Sequence, residues 1–274
     1  MKQYFGLVLV SIMILVSCEE IIQLDLDKTP PKIVIEGLVT NRFRDQQVRI
    51  TRTGDFYGNS KGERVSNAIV SVVDSDGVVH RFGEISPGFY IPIINFSAQV
   101  GKSYKLSVRI GNQTYESEDQ LLRVPAIDSL GYSLAPDPND ERKRKGHLYD
   151  LLLYFQEPQS TEDYYLFKFF RNDTLTYTNA NDIYLVNDEV LTESIKGFPA
   201  PVFYAERDTA RMEMYSLSRD AYLFFSDLTN LQLNDGGLFG PVPANPRTNI
   251  SNGALGFFQV SQVRTSQIIL RKKR

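Results

Sequence analysis

The sequence predicts a mainly β protein: an N-terminal immunoglobulin-like β-sandwich followed by a second β-sandwich or barrel-like domain with one packed helix. Three observations carry this expectation. Short segments alternate apolar and polar residues with period 2, turn residues punctuate them at regular intervals, and one late segment switches to helical spacing.

The first segment is not part of that body. Met1-Lys2-Gln3 is followed by an apolar stretch from Tyr4 to Val16 and then by Ser17-Cys18, the layout of a secretory signal peptide over residues 1–17. The stretch is too short to span a bilayer as a helix, which takes roughly 20 residues. Leu15-Val16-Ser17-Cys18 resembles a lipobox, in which the thiol of Cys18 accepts diacylglycerol and later acylation adds a fatty acid such as palmitate. Cys18 is the only cysteine, so no disulfide supports the exported body. Residues 18–31 are acidic at first, with Glu19-Glu20, and end in Pro30-Pro31, which suits a lipidated tether.

From residue 32 the strands begin. Ile33 and Ile35 alternate with Lys32, Val34 and Glu36, while Val48 and Ile50 alternate with Gln47, Arg49 and Thr51. Ala68–Val73 turns through Asp74-Ser75-Asp76-Gly77 into Val78–Phe82, a hairpin. Tyr104, Leu106, Val108 and Ile110 alternate with polar residues, and Gly111-Asn112 joins them to Gln113–Ser117. These elements place the immunoglobulin-like domain at residues 32–125. The pattern pauses between Val124 and Ser129, where the domain boundary is set, and Pro136 to Gly146 is a charged loop.

The second domain, residues 126–274, shows strands at Leu148–Phe155, Tyr164–Phe170, Asp182–Val186, Arg211–Tyr215, Gly256–Val263 and Gln267–Leu270. In the second of these, alternation puts Tyr165, Phe167 and Phe169 on one face and Tyr164, Leu166 and Phe170 nearer the other. Ser218 can cap a helix in which Asp220 sits in the first turn and Tyr222, Phe225 and Leu228 share a face, before Asn234-Asp235-Gly236-Gly237 ends it.

Composition narrows the function. The net charge is -3, and removing the first 17 residues, with one lysine and no acid, leaves -4. Such a chain is a poor candidate for nucleic-acid binding. The two histidines, His80 and His147, lie far apart in sequence, and no nucleophile elbow, zinc-protease or phosphate-loop motif is present, so no catalytic residue, metal or cofactor is expected. Asp74-Ser75-Asp76-Gly77 opens like a calcium loop but has no bidentate glutamate closing it, and a turn accounts for it. Asp137, Asn139, Asp140 and Glu141 are followed at once by Arg142-Lys143-Arg144-Lys145, which would repel a cation. The aromatic runs are expected to fill the core, because the chain has no tryptophan, and the basic terminus Arg271–Arg274 is expected to be solvated.

Several segments in this order resemble the domain-of-unknown-function 4249 family of Bacteroidota outer-membrane lipoproteins. They are Cys18-Glu19 with Ile22–Leu26, then Ile33–Asn41, Pro87-Gly88-Phe89-Tyr90, Gly101–Leu106, Pro125–Ser129, and the tail from Asn249 to Phe258. The resemblance implies an outer-membrane lipoprotein, often encoded beside a TonB-dependent transporter, and it supplies no catalytic residues. Asp128-Ser129-Leu130, Asp173-Thr174-Leu175 and Asp208-Thr209-Ala210 resemble O-glycosylation acceptors of that lineage. The expected function is a non-enzymatic accessory, anchored to the outer membrane through Cys18, that binds a TonB-dependent transporter or its substrate in nutrient uptake. An envelope hydrolase of glycans or peptides, using carboxylates brought together by folding, and a structural or adhesive envelope protein are the alternatives.

Overall fold

The computed structural model describes residues 30–54, 62–134, 149–176, 183–233 and 244–271. Cys18, His147, the Asp137–Glu141 cluster, the basic loop Arg142–Lys145 and Lys272–Arg274 lie outside these residues. Pro31–Arg274 form one compact unit. The fold is mainly β, with one α-helix among the described residues.

Alternating residues of the first eight-stranded sheet turn inward and build a single core. Its strands are β1 (Ile33–Thr40), β2 (Gln47–Arg52), β3 (Ile69–Asp74), β4 (Val79–Ser86), β5 (Phe89–Pro92), β6 (Ser103–Ile110), β7 (Gln113–Gln120) and β15 (Leu255–Ser261). They follow one hydrogen-bonded path, β15-β1-β2-β5-β4-β3-β6-β7, instead of two separate facing sheets. The path nearly closes into a barrel. Leu122 bridges Ser261 at the seam, and Asp119 on β7 accepts the Val260 N–H at 2.8 Å. Ile35, Val48, Ile50, Val70, Tyr104 and Leu106 meet inside it.

β15 enters this sheet from the far end of the chain and runs parallel to β1, pairing Val34–Thr40 with Leu255–Ser261. Its approach demands a glycine: Gly256 has φ +94°, and a Cβ there would overlap the Ile35 carbonyl. Phe258 and Val260 are fully buried in the barrel core. Ahead of the strand, the side chain of Asn249 pairs with the backbone of Phe258, accepting its N–H at 2.9 Å and donating to its carbonyl at 2.8 Å.

The core changes between Leu121, which lies in the barrel core, and Val124, which lies in the next one. That second core is sandwiched between two sheets. One contains β13 (Ser194–Tyr204), β9 (Tyr149–Gln156) and β8 (Ile127–Leu134). The other contains β10 (Tyr164–Arg171), β11 (Thr174–Leu175), β12 (Tyr184–Asn187), β14 (Thr209–Leu217) and β16 (Val263–Ile269). Leu151, Leu153 and Phe155 of β9 meet Tyr165, Phe167 and Phe169 of β10 and Met212 and Met214 of β14 between them. The other face of β10 carries Tyr164 and Leu166, which pack with Tyr215 and with Ala221, Tyr222, Phe224 and Phe225 of helix α1 (Arg219–Leu233). The aromatic run on β10 thus divides between two faces as its alternation predicts, with Phe170 half-buried beneath the Arg211 guanidinium at 3.7 Å.

Several strands depart from the sequence expectation, including the short β5 and β11. The segment read as a pause after Val124 leads directly into β8, and no strand is expected over Ser194–Tyr204, where β13 forms. β13 contains Gly197, Pro199 and Pro201, and its register with β9 shifts twice. It is an edge strand, where proline costs no interior ladder bond. The strand expected over Gly256–Val263 is divided at Gln262, where the chain leaves the barrel and begins β16 in the sandwich.

Candidate functional site

A half-open cleft of about 450 Å³ lies at the end of the barrel where the chain enters at Pro31. This volume falls in the range of small-ligand sites. Its walls come from the start of β1 with Lys32 and Ile33, the end of β2 with Arg52, the β6–β7 hairpin with Ile110, Asn112, Gln113 and Tyr115, and the turn Asn252-Gly253-Ala254.

Each wall is fixed by backbone bonding. Lys32 and Thr53 exchange bonds: the Lys32 N–H donates to Thr53 Oγ1 at 3.0 Å, and the Thr53 N–H donates to the Lys32 carbonyl at 2.9 Å. The 252–254 turn is strapped to β7, since the Ser251 N–H donates to the Glu116 carbonyl at 2.8 Å and the Glu116 N–H donates to Ser251 Oγ at 2.7 Å. Tyr115 points its hydroxyl outward from a buried ring and donates to Gln113 Oε1 at 2.7 Å. Arg52 stands 3.7 Å from Glu63, whose side chain is largely exposed. The lining therefore presents two cations, three side-chain amides and a hydroxyl, and it contains no carboxylate. Such a surface can hold an anionic or polyhydroxylated molecule by charge and hydrogen bonding.

The residues singled out in the sequence fall elsewhere. Asp74 is a turn residue whose Oδ1 accepts the N–H groups of Asp76 at 3.1 Å and Val78 at 2.9 Å. Lys102 pairs with Asp74 and Asp76 at 3.4 and 2.5 Å. A lysine thus takes the place a calcium ion would need. Burial alone would raise the Asp74 carboxyl, but the Val78 N–H and Lys102 outweigh it and hold the group below its usual range. His80 stacks on Phe96 with ring centroids 3.6 Å apart, and burial pushes its pKa down. Ser129 and Thr174 are exposed, while Thr209 is half-buried.

Sequence reading missed two perturbed carboxyls. Asp119 is pushed up to about 6 by burial at the barrel seam, against the opposing bond from the Val260 N–H. Glu157 is pushed up to about 7, by burial first and by the charges of Asp163 and Asp188 after the opposing bond from Tyr165. Tyr165 donates to Glu157 Oε1 at 2.9 Å, and Glu157 Oε2 is buried without a partner. Their only sequence signal is an acid at an inward position of a strand or just beyond one.

A third buried group joins the barrel to the sandwich. Asn41, at the end of β1, accepts the Val263 N–H at 2.6 Å. Arg42 donates to Glu213 on β14 at 3.1 Å, Arg211 also pairs with Glu213, and Tyr215 donates to it at 2.7 Å. This network is a structural joint.

The comparison with family models decides the relationship. A model described as a domain of unknown function, DUF4249, matches residues 19–267. The chain belongs to the DUF4249 family. No curated protein matches it. In this DUF4249 chain the segments that suggested the family are joints of the fold: Ile33–Asn41 is β1 with its contact to Val263, Asn249–Phe258 closes the barrel and walls the cleft, and Gly101–Leu106 carries the Lys102 clamp and the start of β6. Of these, Ile33 and the turn Asn252-Gly253-Ala254 line the cleft, while Gly101–Leu106 lies at the opposite end of β6.

Proposed function

We propose that this protein is a lipid-anchored accessory of the outer membrane that acts by binding: it engages a TonB-dependent transporter or holds the substrate that transporter takes up. The observation that carries the binding reading is the cleft at the chain-entry end of the barrel, with Lys32, Arg52 and three amides and no carboxylate in its lining. Its chemistry suits a small anionic or polyhydroxylated solute. The anchoring reading is supported by the charged-then-apolar start that ends in Leu15-Val16-Ser17-Cys18.

Two experiments test these halves separately. Feeding cells a clickable palmitate analogue should label the wild-type protein and leave Cys18→Ala unlabelled and lost from the membrane fraction. Labelling of the variant, or none of the wild type, overturns the anchor. Crosslinking in native membranes followed by affinity capture should recover a TonB-dependent transporter, and Arg52→Ala should abolish protection of the purified protein by the solute that transporter imports. Recovery of no transporter and no solute-dependent rise in melting temperature overturns the accessory reading.

A further inference from the structure

An antiparallel sheet with one face on the core ordinarily shows water a polar outer face. The middle of the barrel does the opposite. Ile69 on β3 and Ile85 on β4 are each 58% exposed, Val79 is 55% exposed, and Ile93, just past β5, is 69% exposed. Their register brings them onto one surface: Gly83 pairs with Ile91, and Ile93 leans over Gly83, where a Cβ would lie 3.4 Å from its Cγ1. The absent side chain at Gly83 lets the isoleucines form a continuous apolar saddle.

Cations frame this saddle. Arg49 on β2 lies over the ring of Phe89 at 5.8 Å, Arg81 lies on β4, and Lys105 and Arg109 lie on β6, all four exposed. Ile69 pairs with Arg109 and Ser71 with Ser107 across the β3–β6 ladder. Acids border the rim: Glu36 on β1 stands opposite Arg49, Glu116 on β7 pairs with Lys105 at 3.0 Å, and Glu84, exposed near the end of β4, accepts the Asn67 and Gly88 N–H groups. Arg81 on β4 and Arg109 on β6 stand among the isoleucines themselves, Arg109 directly opposite Ile69.

The chain enters the barrel beside it. Pro31 precedes β1, and that end of the barrel also carries the start of β3 at Ile69, the start of β5 at Phe89 and the end of β6 with Arg109. The thirteen residues from Cys18 to Pro30 reach at most about 45 Å when fully extended.

We propose that this isoleucine saddle with its arginine rim is a docking face for an anionic lipid surface, lying against the membrane that the tether reaches. Apolar side chains would enter the headgroup boundary while the arginines meet lipid phosphates. The choice of occupant rests on the anchored reading above, because a short tether keeps this end of the barrel within reach of the bilayer.

The test uses the mature chain from residue 18 carrying Cys18→Ser, so that no acyl group contributes, and phosphatidylcholine vesicles with or without phosphatidylglycerol. Co-sedimentation with the anionic vesicles is expected, weakening as salt is raised, with little binding to pure phosphatidylcholine. Arg49→Gln with Arg109→Gln should weaken binding by about fivefold per arginine, and Ile69→Ser with Ile93→Ser should weaken it at all salt concentrations. All four positions face outward, so circular dichroism and melting temperature should stay unchanged. Absence of binding to anionic vesicles, equal binding by the variants, or a dimer in solution that the isoleucine substitutions dissociate would overturn the proposal. Since the tested chain has no lipid, its failure leaves palmitate labelling of Cys18 to stand or fall by itself.

Discussion

Glu157 sits at the end of β9 with one carboxylate oxygen held by Tyr165 and the other buried without a partner. Burial disfavours its charged form, so its carboxyl titrates near 7 in the fold and near 4.5 in the unfolded chain. Between those values the native state holds more protons than the unfolded one, and stability falls as pH rises through that window. Above about pH 7 both states are ionised and the penalty is constant. Glu157→Gln retains the acceptor for Tyr165 and removes the charge. It is expected to be more stable than wild type at pH 8 by about 2 kcal/mol, or several degrees in melting temperature, with the difference gone at pH 4. Thermal unfolding across pH 4–8 checks this; an equal effect at both ends would assign the change to packing. Asp119, pushed up to about 6 by burial, adds a slope of the same sign between about pH 4 and 6, so the doubly ionised protein is the less stable form.

Helix α1 connects this residue chemistry to an element. Ser218 accepts the Ala221 N–H at 3.3 Å as its N-cap, and its hydroxyl also bonds the Asp119 carboxylate at the barrel seam. Ser218→Ala should therefore cost more than an ordinary cap, about 2 kcal/mol against the usual 1, and should move the Asp119 titration upward. Stability curves of the variant at pH 5 and pH 8 would show the cost growing with pH; a pH-independent loss would mean the cap acts alone. This helix was legible in the sequence because Ser218, Asp220, Tyr222 and Phe225 combine a cap with a 3.6-residue spacing, and Tyr165, Phe167 and Phe169 were legible because alternation is a local property. β13 was hidden because Gly197, Pro199 and Pro201 mask strand character that an edge position tolerates. The cleft was hidden for a different reason: Lys32, Arg52, Asn112 and Asn252 come from four separate segments, and only the return of β15 brings the last of them to the first. No local pattern encodes that return.

That return governs the behaviour of the whole molecule. β15 supplies Phe258 and Val260 to the barrel core and pairs with β1 along its length, while the next strand, β16, pairs with β14 in the sandwich. A change of direction at the single residue Gln262 thus ties the two cores, and the Asn41 and Arg42 contacts hold the same junction from the other side. Residues 31–125 by themselves would leave β1 with an unpaired edge and the barrel core without Ile250, Phe258 and Val260, so this fragment is expected to be largely unfolded or aggregated. The full chain should instead unfold in one cooperative step. Val108→Ala in the barrel and Phe169→Ala in the sandwich, each removing a fully buried side chain, should destabilise by about 2–5 kcal/mol, and each should shift the same transition whether it is followed by near-ultraviolet circular dichroism or by hydrogen exchange at β6 and at β10. Two separable transitions, one moved by each substitution, would show that the β15–β16 crossing leaves the barrel and the sandwich independent, because a shared strand cannot stay paired in one core while its continuation melts out of the other without exposing the seam at Ser261 and Gln262.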